Sequence, residues 1–426
     1  MAQPHVATVF VYNNGDVLLS RDGREERPNS RRWTTFHSRI DGNPERTARE
    51  LVRGLSEVNG AEFTLGRAGE PFPVSGPAGD AFLGAGPDGP VTVHPFRFDC
   101  RSRNLRQATG TGRPEWTPPI RLLEKGPSPL WRAFDRVRPT IETVAGDTTH
   151  GSAFISVRAL AVLRDEAAIL RSDRPGDYGS VEEVARDLLR ARPSMTAVTN
   201  RINRVMATPT GPIQPATAQQ GAQEGIERAL RADSEAAEAV APLLEGKRTA
   251  TLSRSGTVLD ALRGGHPEAV LVAHSRPGGE GIETAKAIHE ATPVTITSDA
   301  AFAAKLADWN AEHLLVGADS ILADGRVVNK VGTRGAAIAA SREGVPVIVA
   351  AASDKIRPDT SYDLEPRDGS ELYDGDVDLA IANPTFDVTP AACIDSLATE
   401  RGQLDAAAIE RIANEHGGLA EWDHRE

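Results

Sequence analysis

Residues 7–12 form an unbroken apolar run and residues 17–19 resume it, while Asn13-Asn14-Gly15-Asp16 between them carries turn chemistry. A β-hairpin is expected there. A helix should follow: Asn43 can cap it, Pro44 suits its first turn, Ala48, Leu51, Val52 and Leu55 recur at helical spacing, and Gly60 can end it. Residues 91–98 alternate as a strand does, and the Gly- and Pro-rich stretches 76–90 and 110–119 read as loops.

From 128 to about 241 the pattern turns helical, with Ala-rich amphipathic segments at 152–163, 180–189, 197–206 and 218–230 and a Pro-dense loop at 208–215. Beyond Lys247 the period changes again. Short apolar or β-branched runs at 248–252, 269–273, 294–297, 313–316, 345–350 and 379–382 alternate with helical stretches at 257–262, 281–291, 300–307 and 334–343. Such alternation implies parallel strands with right-handed crossovers, a doubly wound Rossmann-like sheet. The expected division is a first domain over 1–126, a helical subdomain over 127–246, the α/β domain over 247–404 and a tail over 405–426.

Composition narrows the class. With 426 residues, 39% hydrophobic and 25% charged, the chain is globular and multidomain, and it contains no apolar run of membrane-spanning length. Its first residues lack a basic stretch ahead of an apolar one, so a cytoplasmic protein is expected. The net charge of −12 works against nonspecific binding to nucleic acid or anionic membrane. Six of the 48 basic residues are lysine, a composition that suits a salt-adapted or a high-GC host. Cys100 and Cys393 stand far apart with no Cys or His at metal spacing, so neither a disulfide framework nor a metal site is expected.

In open α/β sheets ligands bind at the carboxyl ends of the strands. Here those ends read Ser253-Arg254-Ser255-Gly256, His274-Ser275-Arg276-Pro277, Ser298-Asp299, Gly317-Ala318-Asp319, Ser353-Asp354-Lys355 and Asn383-Pro384. The passage from Ser253 through Ser255 and Gly256 into a helix offers N–H groups and hydroxyls to an anion such as phosphate, or simply caps the helix. Asp299 and Asp319 are acid/base candidates or ordinary caps. Asn329 and Lys330 precede another helix start, and Arg192 offers a fork that matches phosphate or a surface carboxylate.

Taken together these segments resemble the family uniting the regulatory subunits of translation initiation factor 2B, methylthioribose-1-phosphate isomerase and ribose-1,5-bisphosphate isomerase. The residues that carry the likeness are Gly317-Ala318-Asp319, Asn329-Lys330-Val331-Gly332-Thr333, Ala191-Arg192-Pro193-Ser194, Ser275-Arg276-Pro277 and the run from Asn383 to Pro390, within a span of about 138–404. The resemblance implies a pocket for a sugar phosphate or nucleotide lined by Arg192, Ser255, Gly256, Arg276, Asp319, Asn329 and Lys330. Isomerases of the family use a cysteine and an aspartate as the acid/base pair; the resemblance puts Asp299 at the aspartate and Ser253 at the cysteine. Where the isomerases carry an arginine for substrate phosphate, this chain has His150 of His150-Gly151-Ser152.

The first domain is similar to a Nudix domain: Arg32-Trp33-Thr34-Thr35-Phe36 precedes the box, Arg49-Glu50-Leu51 matches its core, and Trp116 matches a late tryptophan. The metal-binding glutamates of that family fall on Asp41, Arg53 and Gly54, so Mg is expected only if the domain hydrolyses a diphosphate. Three functions are therefore carried forward: an initiation-factor-2B-like, noncatalytic regulatory protein binding a small phosphorylated ligand; an aldose-ketose sugar-phosphate isomerase in which His150 or His274 replaces the thiol; and a Nudix hydrolase. A homodimer or hexamer and a translation initiation factor partner are implied by resemblance.

Overall fold

The computed structural model describes residues 3–21, 33–56, 62–75, 90–105, 114–123, 129–173, 179–207, 213–362 and 365–424. All but the last residue of the loop expected at 76–90, the helix end at Gly60, Arg32 and most of the Pro-dense stretch, 208–212, lie outside these residues. The chain divides into two compact units, Met1–Thr140 with Arg164–Asp177, and Ile141–Leu163 with Tyr178–Glu426.

In the first unit the strands are β1 (His5–Asn13), β2 (Asp16–Arg21), β3 (Trp33–Thr34), β4 (Phe36–Arg39), β5 (Phe63–Ala68), β6 (Phe72–Val74), β7 (Val91–Cys100) and β8 (Pro114–Thr117), all in one mixed sheet. The hairpin forms as its sequence dictates: Asn13 pairs with Asp16, and Asn14 and Gly15 both take positive φ, at 47° and 90°. β1 runs parallel to β7 and antiparallel to β4. Its alternate residues enter two cores, Val6, Phe10 and Tyr12 against Phe134 and Val137, and Ala7, Val9 and Val11 against Ala48, Val52 and Leu55. The latter three belong to α1 (Pro44–Ser56), whose cap Asn43 accepts from the Arg46 N–H at 3.0 Å. The loop expected over 110–119 is corrected at its end: β8 pairs antiparallel with β2, an edge position where Pro114 needs no ladder bond of its own. Helix α2 (Pro129–Asp135) supplies Leu130, Trp131 and Phe134 to this core.

The second unit contains α3 (Ile141–Ala145), the first part of α4 (Ser152–Asp173), α5 (Gly179–Ala191), α6 (Thr196–Met206) and α7 (Pro215–Leu244). α7 outruns its expected end at 230 because Ala229, Ala232, Ala236, Val240 and Leu244 keep the buried three-to-four spacing.

After these helices come β9 (Arg248–Leu252), α8 (Gly256–Gly265), β10 (Ala269–Ala273), α9 (Glu280–Ile288), β11 (Val294–Thr297), α10 (Asp299–Asp308) and β12 (His313–Val316). They continue with β13 (Ser320–Ile321), β14 (Val327–Lys330), α11 (Thr333–Glu343), β15 (Val347–Ala350), β16 (Phe386–Thr389), β17 (Ser396–Thr399), β18 (Gly402–Gln403) and α12 (Ala406–Leu419). The main sheet runs β11-β10-β9-β12-β15-β17-β18, parallel except at its last pair. The order reverses between β9 and β12, the switch point beside which open α/β sheets hold their ligands. Both faces are covered. Leu271, Leu314 and Val316 pack with α10, α11 and α12, and Val270, Val272 and Leu315 with α7, α8 and α9.

One expected strand is absent. Residues 379–382 are apolar in sequence, yet Leu379 and Ile381 are exposed and in no strand; the sheet partners are β16 and β17 instead. β16 extends a small antiparallel sheet, β13-β14-β16, set beside the switch point by the chain that leaves β12.

Candidate active site at the strand ends

The chain leaves β9 through Ser253, a non-glycine residue with φ of 60°. Left-handed backbone costs a residue with a Cβ about 1–2 kcal/mol, so it persists only where neighbours fix it. Here the Ser253 N–H donates to Ser275 Oγ at 2.6 Å, and its carbonyl accepts from Thr284 Oγ1 at 2.6 Å. Ser275 is itself left-handed, with φ of 65°. Among the described residues, no side chain is hydrogen-bonded to the Ser253 hydroxyl.

Asp299 explains what holds Ser275. Its two oxygens accept the N–H groups of Ser275 and Arg276, each at 2.7 Å. The carboxylate, read from sequence as a proton carrier or a cap, is thus a clamp between the ends of β10 and β11. Arg276 is exposed, its Nε donating to His274 Nδ1 at 3.1 Å. Ser255 caps α8 by accepting from the Val258 N–H, and a side chain at Gly256 would meet no atom, so that turn stands open. Gly317, at the end of β12, leaves room for the Ser255 hydroxyl, which a Cβ there would strike.

Asp319 follows β12 and is half-buried. Its Oδ1 accepts from Ser152 Oγ at 3.0 Å, from the first turn of α4. Loss of water pushes its acid upward, against the ionising influence of Lys355, the Ser152 hydrogen bond and Lys330. Lys355 is buried, donates to the Ala318 carbonyl at 2.6 Å, and is pushed down by burial against the pull of Asp319. Two further acids act on Asp319's surroundings. Glu365, held to Ser194 Oγ, is raised by burial and by Asp319 while Arg192 opposes the shift; the Tyr362 phenol is raised by burial, Asp319 and Glu365.

Lys330 ends β14 with its side chain buried, and its Nζ is ion-paired with Glu280 at the start of α9. Asn329 turns away: its Nδ2 donates to Thr333 Oγ1 at 3.0 Å, which in turn donates to the Lys330 carbonyl. Arg192 is likewise engaged with backbone, its Nε on the Val144 carbonyl at 2.9 Å and an Nη on that of Asp147. His150 lies in the turn before α4. Its Nδ1 contacts the Asp147 carboxylate at 2.9 Å and its ring stacks on Phe154 at 4.1 Å.

The fold therefore brings Asp319, Lys330 and the residues around Ser152 to one place, and sets Ser253, Ser255 and Gly256 at the adjoining strand end. Arg192 and Asp299 are turned to holding the backbone, and Asn329 to holding the Thr333 hydroxyl. Sequence reading missed Glu280, Glu365 and Tyr362. Glu280 alone carried a signal, as the first charged residue after the Ser275-Arg276-Pro277 motif. The site's chemistry is a half-buried acid with a raised pKa flanked by two buried lysines, suited to a polar ligand carrying hydroxyl and anionic groups.

Comparison with known proteins finds relatives of this chain. The Initiation factor 2 subunit family matches residues 148–406. A ribose 1,5-bisphosphate isomerase of Haloferax volcanii is 33% identical over 305 residues, 66% of this chain and 94% of the relative. A methylthioribose-1-phosphate isomerase of Pseudomonas syringae is 34% identical over 173 residues, 37% of this chain and 48% of the relative. The solved translation initiation factor eIF-2B of Pyrococcus horikoshii is similar with a TM-score of 0.55 at 26% identity, covering 62% of this chain and 94% of that one.

Proposed function

Because the chain belongs to the Initiation factor 2 subunit family, we propose that it binds a sugar phosphate or nucleotide at the ends of β9, β12 and β14 and acts as a regulatory, noncatalytic member. The observation that carries the noncatalytic part is Ser253. Its main chain is fixed on both sides, while no base is bonded to its hydroxyl among the described residues. An unactivated hydroxyl does not exchange protons near neutrality as a thiol of pKa ~8.5 does. Asp299 does not supply the deficit, since both its oxygens are taken by N–H groups. Lys330, Lys355 and Asp319 remain to hold a ligand.

Melting curves with ribose 1,5-bisphosphate, methylthioribose 1-phosphate and a nucleotide panel test this. A rise in Tm that Lys330→Met removes, without ketose formation, is the expected result. No rise with any of these compounds refutes binding, and a ketose product refutes the noncatalytic part.

A second reading, an aldose-ketose isomerase, is favoured by Asp319, whose acid is raised by burial and so holds a proton more readily than an ordinary carboxylate, and by the 33% identity to a ribose 1,5-bisphosphate isomerase. Under it His150, oriented by Asp147, supplies the second proton transfer. Ser253→Cys distinguishes the two: turnover that appears only in the variant supports the regulatory reading, and turnover already present in the wild type supports the isomerase.

The same proposal extends to a homodimer or hexamer and to contact with a translation initiation factor, with the Nudix-like first unit as a docking or gating module. A hydrolase role for that unit finds little support. On α1, Glu45 pairs with Arg49 and Glu50 with Arg46, so the helix presents no bare carboxylate cluster to a cation among the described residues.

A further inference from the structure

Glu280 stands where an anionic ligand would be expected. α9 begins after Gly279, whose φ is 75°, and the first turn of a nine-residue helix directs N–H groups and a positive dipole end outward. That end is already supplied with Glu280 and Glu283. Glu283 is exposed and paired with Lys286 on its own helix. Glu280 instead reaches across fifty residues of sequence to Lys330, whose side chain is 7% exposed against 31% for its own.

The carboxylate is fixed in that position. A side chain at Gly281 would overlap the Ala273 carbonyl, so the first turn of α9 lies directly against the end of β10. A side chain at Gly278 would strike the Glu280 carboxylate itself. Only one of its oxygens is satisfied: Oε1 meets Lys330, while Oε2 is buried with no hydrogen-bond partner. A buried carboxylate oxygen without a donor is costly to retain. Other charges facing the pair are Asp319 and Glu371 on the Lys330 side and Arg367 on the Glu280 side.

We propose that Glu280 is a built-in counterion that competes with the ligand's phosphate for Lys330, so that it sets both the affinity and the charge selectivity of the pocket. In the ligand-free protein it neutralises the lysine. A phosphate gains Lys330 only by displacing the carboxylate, and two like charges then share one cation. A ligand hydroxyl donated to Oε2 eases that crowding, which favours polyhydroxylated phosphates over inorganic phosphate. This inference rests on the reading of the strand ends as a phosphorylated-ligand site.

Titration calorimetry with inorganic phosphate and with ribose 5-phosphate tests it on the full chain, in the wild type, Glu280→Gln, Lys330→Met, the double variant and Glu283→Gln. Glu280→Gln keeps the shape of the side chain and removes its charge. It should bind both probes about tenfold or more tightly than the wild type, since one negative charge beside the anion is gone. The gain should be larger for inorganic phosphate than for ribose 5-phosphate, vanish in the double variant and be absent in Glu283→Gln. Affinity in Glu280→Gln equal to or below the wild type, or no binding by either, overturns the inference. If Lys330→Met abolishes binding while Glu280→Gln changes nothing, the counterion role fails and the site stands. If Lys330→Met leaves affinity unchanged, the strand-end site fails and the counterion role with it.

Discussion

The hydroxyl of Ser152 donates to Asp319 Oδ1 across 3.0 Å, joining the first turn of α4 to the end of β12. Ser152 is buried, so no water replaces the bond at little cost. Ser152→Ala should lower stability by about 1 kcal/mol. It should also raise the Asp319 acid further, because the bond favours the ionised form. Urea denaturation and carboxyl titration by NMR measure the two effects. An unchanged titration with unchanged stability would show that the hydroxyl does not serve this acid.

Asp299 distinguishes a clamp from a proton carrier. Asp299→Asn places an NH2 against one of two backbone N–H donors, and the lost charge-assisted bond should cost about 1.5–3 kcal/mol. A clamp predicts a lower urea midpoint in the variant even without ligand. A variant as stable as the wild type would return Asp299 to the role of a free acid.

The packing of α9 makes Gly281 intolerant of any side chain. Gly281→Ala forces the helix away from the Ala273 carbonyl at a cost of about 3 kcal/mol, and the shift should loosen the Glu280–Lys330 pair. Gly256→Ala, at a helix start where the added methyl meets nothing, is the control and should be within about 0.5 kcal/mol of the wild type. Equal stability of the two variants would contradict this arrangement.

Acid stability should follow two opposing groups of carboxylates. Burial disfavours ionised Asp354, but Arg201 and Arg204 hold it well below the usual carboxylate range. Burial likewise opposes ionised Asp147, and His150, the Thr149 N–H and Arg158 outweigh it. Both acids are depressed relative to an unfolded aspartate near ~3.9, so their contribution is complete above about pH 4 and is lost as pH falls further. Asp319 and Glu365 are raised, so they favour the folded state as pH falls toward the unfolded carboxylate values. Urea midpoints should therefore hold or rise slightly on going from pH 7 toward 5 and fall steeply below about 4. Arg204→Met should move that acid limb to higher pH; an acid limb indifferent to Arg204 would refute the assignment to Asp354.

The doubly wound sheet was legible because strands buried on both faces are short apolar runs, and β9, β10 and β12 fall where such runs stand in the sequence, as does the more exposed edge strand β11. The same rule misleads at 379–382. An apolar run states what a segment prefers, not what covers it, and Leu379 and Ile381 are exposed while the more polar Phe386–Thr389 pairs with β14. The polar residues were legible as a set but not in their roles. Aspartate after a strand reads alike whether its oxygens are engaged, as in Asp299, or desolvated beside lysine, as in Asp319. The Lys330–Glu280 pair joins positions fifty residues apart, which no local pattern reports.

Whether a phosphorylated ligand is held at the strand ends without conversion is decided by titrating ribose 1,5-bisphosphate into the wild type while following the sugar by 31P NMR. Saturable binding that is lost in Lys330→Met is expected, with the ligand's phosphorus signals recovered unchanged on release. Conversion of those signals to a ketose bisphosphate, or binding that survives Lys330→Met, would contradict it.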